Sequence, residues 1–157
     1  MDSYKRILLL SIGLVIILFL SSINALLVTT NSIWFQNLAM PSFSVTLHSF
    51  CTLASYYFIA ILLAEGFYKK GLHKSLVLLF FIIILNMAWC GCFFRLHDIF
   101  FSFIILLVIT FLTIIISLIY AKNTQCVFLI ALFLCIYYIY LANVNLQLII
   151  LNFPSIL

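Results

Sequence analysis

Five long apolar runs, separated by short polar connections, organise this chain. Bilayer hydrocarbon is about 30 Å thick, so a helix rising about 1.5 Å per residue needs about 20 apolar residues to cross it. The runs meet that length and predict spanning helices at about 7–28, 48–67, 75–94, 99–120 and 126–151. The first is apolar except at Ser11, Ser21, Ser22 and Asn24. Between the first two, residues 29–47 carry no charge but hold Trp34, Phe35, Pro41 and Phe43, which suits a lid-like loop lying at the membrane interface. A connection of that length is long for a membrane hairpin and predicts a functional segment.

Composition removes the soluble alternatives. The chain is 68% hydrophobic and 6% charged, with a mean hydropathy of +1.42, whereas a soluble domain carries roughly a quarter charged residues. The reading is an all-α integral membrane protein, a five-transmembrane-helix bundle forming a single membrane domain over 1–157. The basic pair Lys5 and Arg6 before an apolar run also resembles the start of a signal peptide. Cleavage after Ala25 would place Ile23 where a small residue is usual, so a retained first helix is the expectation. Five spans then put Lys5, Arg6, Lys69, Lys70, Lys74 and Lys122 on one side and leave only Arg95 on the other. The positive-inside rule predicts a multi-pass protein with a cytoplasmic N-terminus and its C-terminus on the opposite side.

Little acid, thiol or metal chemistry is available. Asp2, Glu65 and Asp98 are the acidic residues, so paired carboxylates for acid–base work are absent and no catalytic residue is assigned. Glu65 reads as the partner of Lys69 four residues on, and Arg95 with Asp98 as a solvated loop pair. The five cysteines fall mostly in apolar runs, where Cys packs as a small hydrophobe. Cys90 and Cys92, two apart, aim at different sides of a helix, and neither a disulfide framework nor a metal site is expected.

Amides are the more informative polar groups. Asn86, Asn143 and Asn145 fall inside spans, where each needs a partner within the bundle. Asn86, Trp89 and Phe93 share one helix face, as do Tyr138, Leu141, Asn145 and Asn152 on the last helix. These faces are either interhelical glue and core packing or the wall of a ligand site. Ala88 and Cys92, small residues four apart, offer a surface for a homodimer.

At these residues the chain resembles the TspO/MBR family, the tryptophan-rich sensory proteins that include translocator protein, or peripheral-type benzodiazepine receptor. Residues Trp34 to Phe43 resemble the family loop Trp-Tyr-x-x-Leu-x-Lys-Pro-x-Trp. Asn86 to His97 resembles Asn-x-x-Trp-x-x-x-Phe-Phe-Gly-x-His, and Val144-Asn145 with Leu151-Asn152 resembles the closing Leu-Asn and final Asn. The departures are substantial: the family's Pro-Pro falls on Val45 and Thr46, its loop Lys on Met40, and its second-span Trp on Ala54. In the last span its Pro-Tyr falls on Phe133 and Leu134, and the following Trp on Tyr137.

The resemblance implies a bundle, often dimeric, whose cavity binds tetrapyrroles such as protoporphyrin IX or haem, and in some members sterols or benzodiazepine-like ligands. Carried over, the ligand-binding positions are Trp34, Pro41, Phe43, Asn86, Trp89, Phe93, Tyr137, Tyr138 and Asn145. A flat apolar macrocycle with polar edges suits aromatic walls and a few amides. The family's C-terminal cholesterol motif has no counterpart, although Leu63, Tyr68 and Lys70 form a pattern of that kind at the end of the second span. The expectation is a sensory or transport protein with membrane lipid and a tetrapyrrole or sterol as partners, no nucleic acid and no obligatory cofactor. The alternatives are a light-dependent porphyrin-degrading activity, disfavoured by Ala54 and Tyr137, and a small accessory membrane subunit.

Overall fold

A computed structural model describes residues 2–28, 32–41, 45–69, 72–122 and 125–153, with the side chains at 2, 3, 6, 20, 25 and 45–49 outside the description. Phe43, one of the proposed ligand contacts, falls outside these residues. The chain forms α1 (Asp2–Leu27), α2 (Ile33–Gln36), α3 (Val45–Tyr68), α4 (His73–Phe94), α5 (Ile99–Ala121) and α6 (Gln125–Asn152). All but the four-residue α2 are long and apolar enough to cross a membrane. The protein is an all-α, five-span membrane bundle.

Each span starts or ends within a few residues of its apolar run, and the largest difference is at α1. This helix begins at Asp2 and carries Lys5 and Arg6 on its first turns, because a helix can continue past the hydrocarbon edge into the headgroup region. Hydroxyls inside the spans are absorbed by the preceding turn, as with Ser11 on Ile7 O (3.0 Å), Thr110 on Leu106 O (2.8 Å) and Ser117 on Thr113 O (2.8 Å). That back-bonding hides a polar group from lipid without a partner helix.

The most extensive contacts join α5 to α6, α4 to α5 and α1 to α3, while α3 also meets α6 and α4. Four helices thus close a ring, with α1 laid against α3 and touching α4. The ring is filled by Leu62, Leu79, Ile82, Leu106, Ile109, Ile116 and Leu134, all fully buried. Chain alternation sends Lys5, Lys69, Lys74 and Lys122 to one end of the bundle. Near that end Glu65, 4% exposed, has its carboxylate 3.9 Å from Lys69 Nζ, the expected pairing.

The opposite end holds α2 and the α4–α5 turn. Arg95 and Asp98 do not form the expected loop pair. Helix α4 stops at Phe94 and the chain reverses through His97 at φ 59, so the two side chains part. Arg95 Nη2 donates to Leu26 O at 2.7 Å, placing a cation on the carbonyl end of α1, and Asp98 accepts from Phe101 N at 2.9 Å as the N-cap of α5. Of the small pair Ala88 and Cys92, Ala88 is exposed on α4 while Cys92 is buried in the core.

Helix α1 approaches α3 through Gly13, where a Cβ would stand 3.2 Å from the Ala60 carbonyl oxygen. A side chain there must push one backbone off another. Gly13→Leu is expected to destabilise the protein by about 1–3 kcal/mol, the usual cost of overpacking. Thermal unfolding in detergent checks this, and an unchanged midpoint would mean that α1 repositions freely.

Candidate functional site

At the α2 end the bundle does not fill. A cavity of about 640 Å³ opens between α1, α3, α4 and α6, roofed by Phe35, Met40 and Pro41. Helix α5 supplies none of the lining. On the facing walls, α4 presents Asn86, Trp89, Cys90 and Phe93 on successive turns of one face, and α3 presents Thr52, Ser55 and Tyr56 among its described side chains. Shorter side chains on α3 and α1 leave room that the aromatic face of α4 does not occupy.

The aromatic wall is continuous. Trp89 stacks on Phe93 with ring centroids 5.9 Å apart, and Phe93 meets Phe94 edge-on at 4.8 Å. The roof docks on this wall through Phe35, whose ring lies 5.6 Å from Phe94, and through Trp34, edge-on to Phe93 at 5.5 Å. Trp34 itself does not line the cavity. Its outer face stacks on the His97 imidazole at 4.4 Å, and Phe35 takes the inward position. Helix α2 starts on Ser32, whose hydroxyl accepts from Phe35 N at 3.2 Å. Asn152 at the end of α6 clamps the roof: its Oδ1 accepts from Ala39 N at 2.8 Å and its Nδ2 donates to Ala39 O at 3.1 Å.

Polar groups enter from all four walls. Asn24 Nδ2 on α1 donates to the Tyr56 hydroxyl at 3.1 Å, which the Asn86 amide also approaches. Thr52 and Tyr137 share a hydroxyl–hydroxyl bond of 3.1 Å. Asn145 on α6, 2% exposed, donates through Nδ2 to Ser102 Oγ at 3.1 Å. Among the described lining residues, three buried polar atoms have no hydrogen-bond partner: Asn24 Oδ1, Asn145 Oδ1 and Trp89 Nε1. No described lining residue carries a charge.

Of the residues singled out from sequence, Pro41, Asn86, Trp89, Phe93, Tyr137 and Asn145 meet in this cavity. Trp34 lies one layer out, and Tyr138, 1% exposed, faces the packed core with its ring tilted against Tyr137 at 5.2 Å. Asn143 points out of the bundle and accepts from Gln147 Nε2 at 2.8 Å on its own helix. Sequence reasoning missed Asn24 and Tyr56 as site residues. Asn24 had the same signal as Asn86, an amide inside an apolar run, whereas a tyrosine in a span has no comparable mark.

The family comparison bears on the whole of this architecture. Residues 11–151 match the model of the TspO/MBR family, while comparison with curated proteins finds no match. The match runs from α1 through the roof and all four ring helices to the end of α6, and on that extent the chain belongs to the TspO/MBR family.

Proposed function

We propose that this membrane protein binds a tetrapyrrole, such as protoporphyrin IX or haem, in the cavity beneath Phe35 and Pro41, and acts as a sensor or carrier of it. The observation that carries the reading is the pairing of an aromatic wall, Trp89 and Phe93, with amides on facing helices in a roofed apolar space of about 640 Å³. A flat macrocycle gains from face contact with the rings, and its few polar edges can meet the amides. No described lining residue carries a charge, so a carboxyl edge of the ligand enters the cavity only when protonated, since an unpaired charge inside would be expensive. Lys5, Lys69, Lys74 and Lys122 at the opposite end support a cytoplasmic N-terminus, with the roof facing the other side.

Titration with protoporphyrin IX tests the reading, because Trp89 lines the cavity and Trp34 backs its roof. Saturable tryptophan quenching near one porphyrin per chain is expected. Trp89→Phe should weaken binding roughly three- to tenfold, the worth of a good aromatic stack. Affinity is then followed by the porphyrin's own absorbance, since the change removes one of the two tryptophans. Linear quenching, equal in both proteins, would indicate partition into detergent and favour the accessory-subunit reading.

A further inference from the structure

We infer that the cavity selects its ligand by hydrogen-bond donors, and that the side-chain carbonyls of Asn24 and Asn145 are the specificity-determining groups. The inference rests on the cavity's being a ligand site, and adds what that site demands of its occupant.

The Asn145 amide has a defined orientation. Ser102 Oγ donates its single proton to Ile99 O at 2.7 Å, so toward Asn145, at 3.1 Å, it can only accept. The NH2 end of the amide must therefore face Ser102. That leaves Asn145 Oδ1 as an acceptor without a donor, on a side chain that lines the cavity and is 2% exposed. Asn24, 4% exposed, adds a second such acceptor from α1: Nδ2 donates to the Tyr56 hydroxyl and Oδ1 has no donor. Buried carbonyls are costly to leave unpaired, and native proteins rarely do so. Two on one cavity, from helices that do not pack closely on each other, are complementary to a molecule lying between them.

The occupant's chemistry follows. It presents N–H or O–H donors toward α1 and α6, and the unpartnered Trp89 Nε1 accommodates one acceptor toward α4. An ether, an ester or an ionised carboxylate at Asn24 or Asn145 would set oxygen against oxygen. The cavity therefore takes neutral, flat, apolar molecules carrying peripheral donors, and rejects the same skeletons with those donors capped. Protoporphyrin IX would meet this demand with its propionic acid edge inward and protonated, since its vinyl and methyl edge carries no donor. Ser102, which does not line the cavity, is a positioning residue: it decides which end of the Asn145 amide the ligand meets.

Rigid steroid probes test this without involving porphyrin. 17β-Estradiol carries a hydroxyl at each end of a flat apolar skeleton, its dimethyl ether carries none, and the oxygen-free hydrocarbon controls for bulk. Equilibrium binding to the protein in lipid nanodiscs is expected to favour estradiol over its dimethyl ether by roughly tenfold or more, as sites with buried unpaired acceptors do. Asn145→Leu and Asn24→Leu should each cut that ratio several-fold while leaving hydrocarbon binding in place. Ser102→Ala should lower the ratio by freeing the amide to turn, and Ser102→Thr should restore it, an outcome that a purely structural role for Ser102 does not predict. A wild-type ratio near one, a ratio unmoved by both asparagine changes, or no binding of any probe would overturn the inference. Failure of the tetrapyrrole reading looks different: estradiol selectivity persists while protoporphyrin IX quenching stays linear. Saturable protoporphyrin binding with no donor preference leaves the proposed function standing and removes this one.

Discussion

Tyr120→Ala is expected to cost about 3–5 kcal/mol of stability, the range for removing a buried aromatic that leaves a cavity. Tyr120 is 0% exposed, and its hydroxyl joins three helices. It donates to Leu62 O on α3 at 2.7 Å and lies 3.0 Å from the Ser75 hydroxyl on α4, from its own place at the end of α5. Its ring packs in the main core, and its hydroxyl is so close to α3 that a Cβ on Gly66 would stand 3.4 Å from it. Tyr120→Phe separates the two contributions. It keeps the volume and removes the bonds, which between membrane helices are worth about 0.6 kcal/mol on average. Thermal unfolding in detergent should therefore place the Phe variant near wild type and the Ala variant far below. Equal losses would mean that the hydroxyl, left unmatched at Leu62 O, dominates. Since Tyr120 lies at the end away from the roof, the Phe variant should keep the wild-type affinity for protoporphyrin IX.

That contrast reflects how the molecule divides its polar groups. Toward the basic end each buried hydroxyl is matched: Ser75 reaches Leu72 O at 2.6 Å, and Ser117 reaches both Thr113 O and Ala131 O. Under the roof, two carbonyls and an indole N–H are left without partners. Near the basic end the described buried hydroxyls are matched and the Glu65 carboxylate faces Lys69, whereas under the roof the open capacity belongs to uncharged groups that line a cavity.

The spans were legible because a bilayer demands a fixed apolar length, and that demand is written in the hydropathy itself. The same signal says little about where a helix stops outside the hydrocarbon, which is why α1 reaches back to Asp2 and α3 to Val45. Within a span, hydropathy does not say which side is inward. Asn143 and Asn145 look equivalent in sequence, yet a separation of two residues turns one outward to Gln147 and the other into the cavity. The spacing of Asn86, Trp89 and Phe93 did place one wall, because a face on a single helix is local information. The facing wall, Asn24 with Tyr56, needs α1 and α3 to be in register at Gly13 and Ala60, and no local pattern encodes that. Trp34 and Phe35 illustrate the same limit. Their adjacency hides which ring faces inward until His97 takes up the outer face of the indole.

Releasing the roof should change how fast a ligand leaves more than how well the protein folds. The Asn152 amide holds both the N–H and the C=O of Ala39, two residues before Pro41 lines the cavity, and its Nδ2 is itself anchored on Leu148 O at 2.8 Å. Asn152→Leu removes both bonds to the roof. Two ordinary hydrogen bonds are worth about 1–3 kcal/mol together, and because these are solvent-accessible the low end applies, roughly a tenfold shift toward an open roof. Protoporphyrin IX release, followed by recovery of tryptophan fluorescence on dilution into excess empty vesicles, should accelerate by about that factor, provided the ligand leaves past Pro41. The unfolding temperature should barely move, since Trp34 on Phe93 and His97 still holds the segment to the bundle. Asn152→Asp, which retains the acceptor for Ala39 N but loses the donor to Ala39 O, should fall between. An unchanged release rate in both variants would exclude the roof as the gate. The route out would then run sideways between the helices into the lipid, where α1 borders the cavity through Ser21 and Asn24 and touches α4 only lightly.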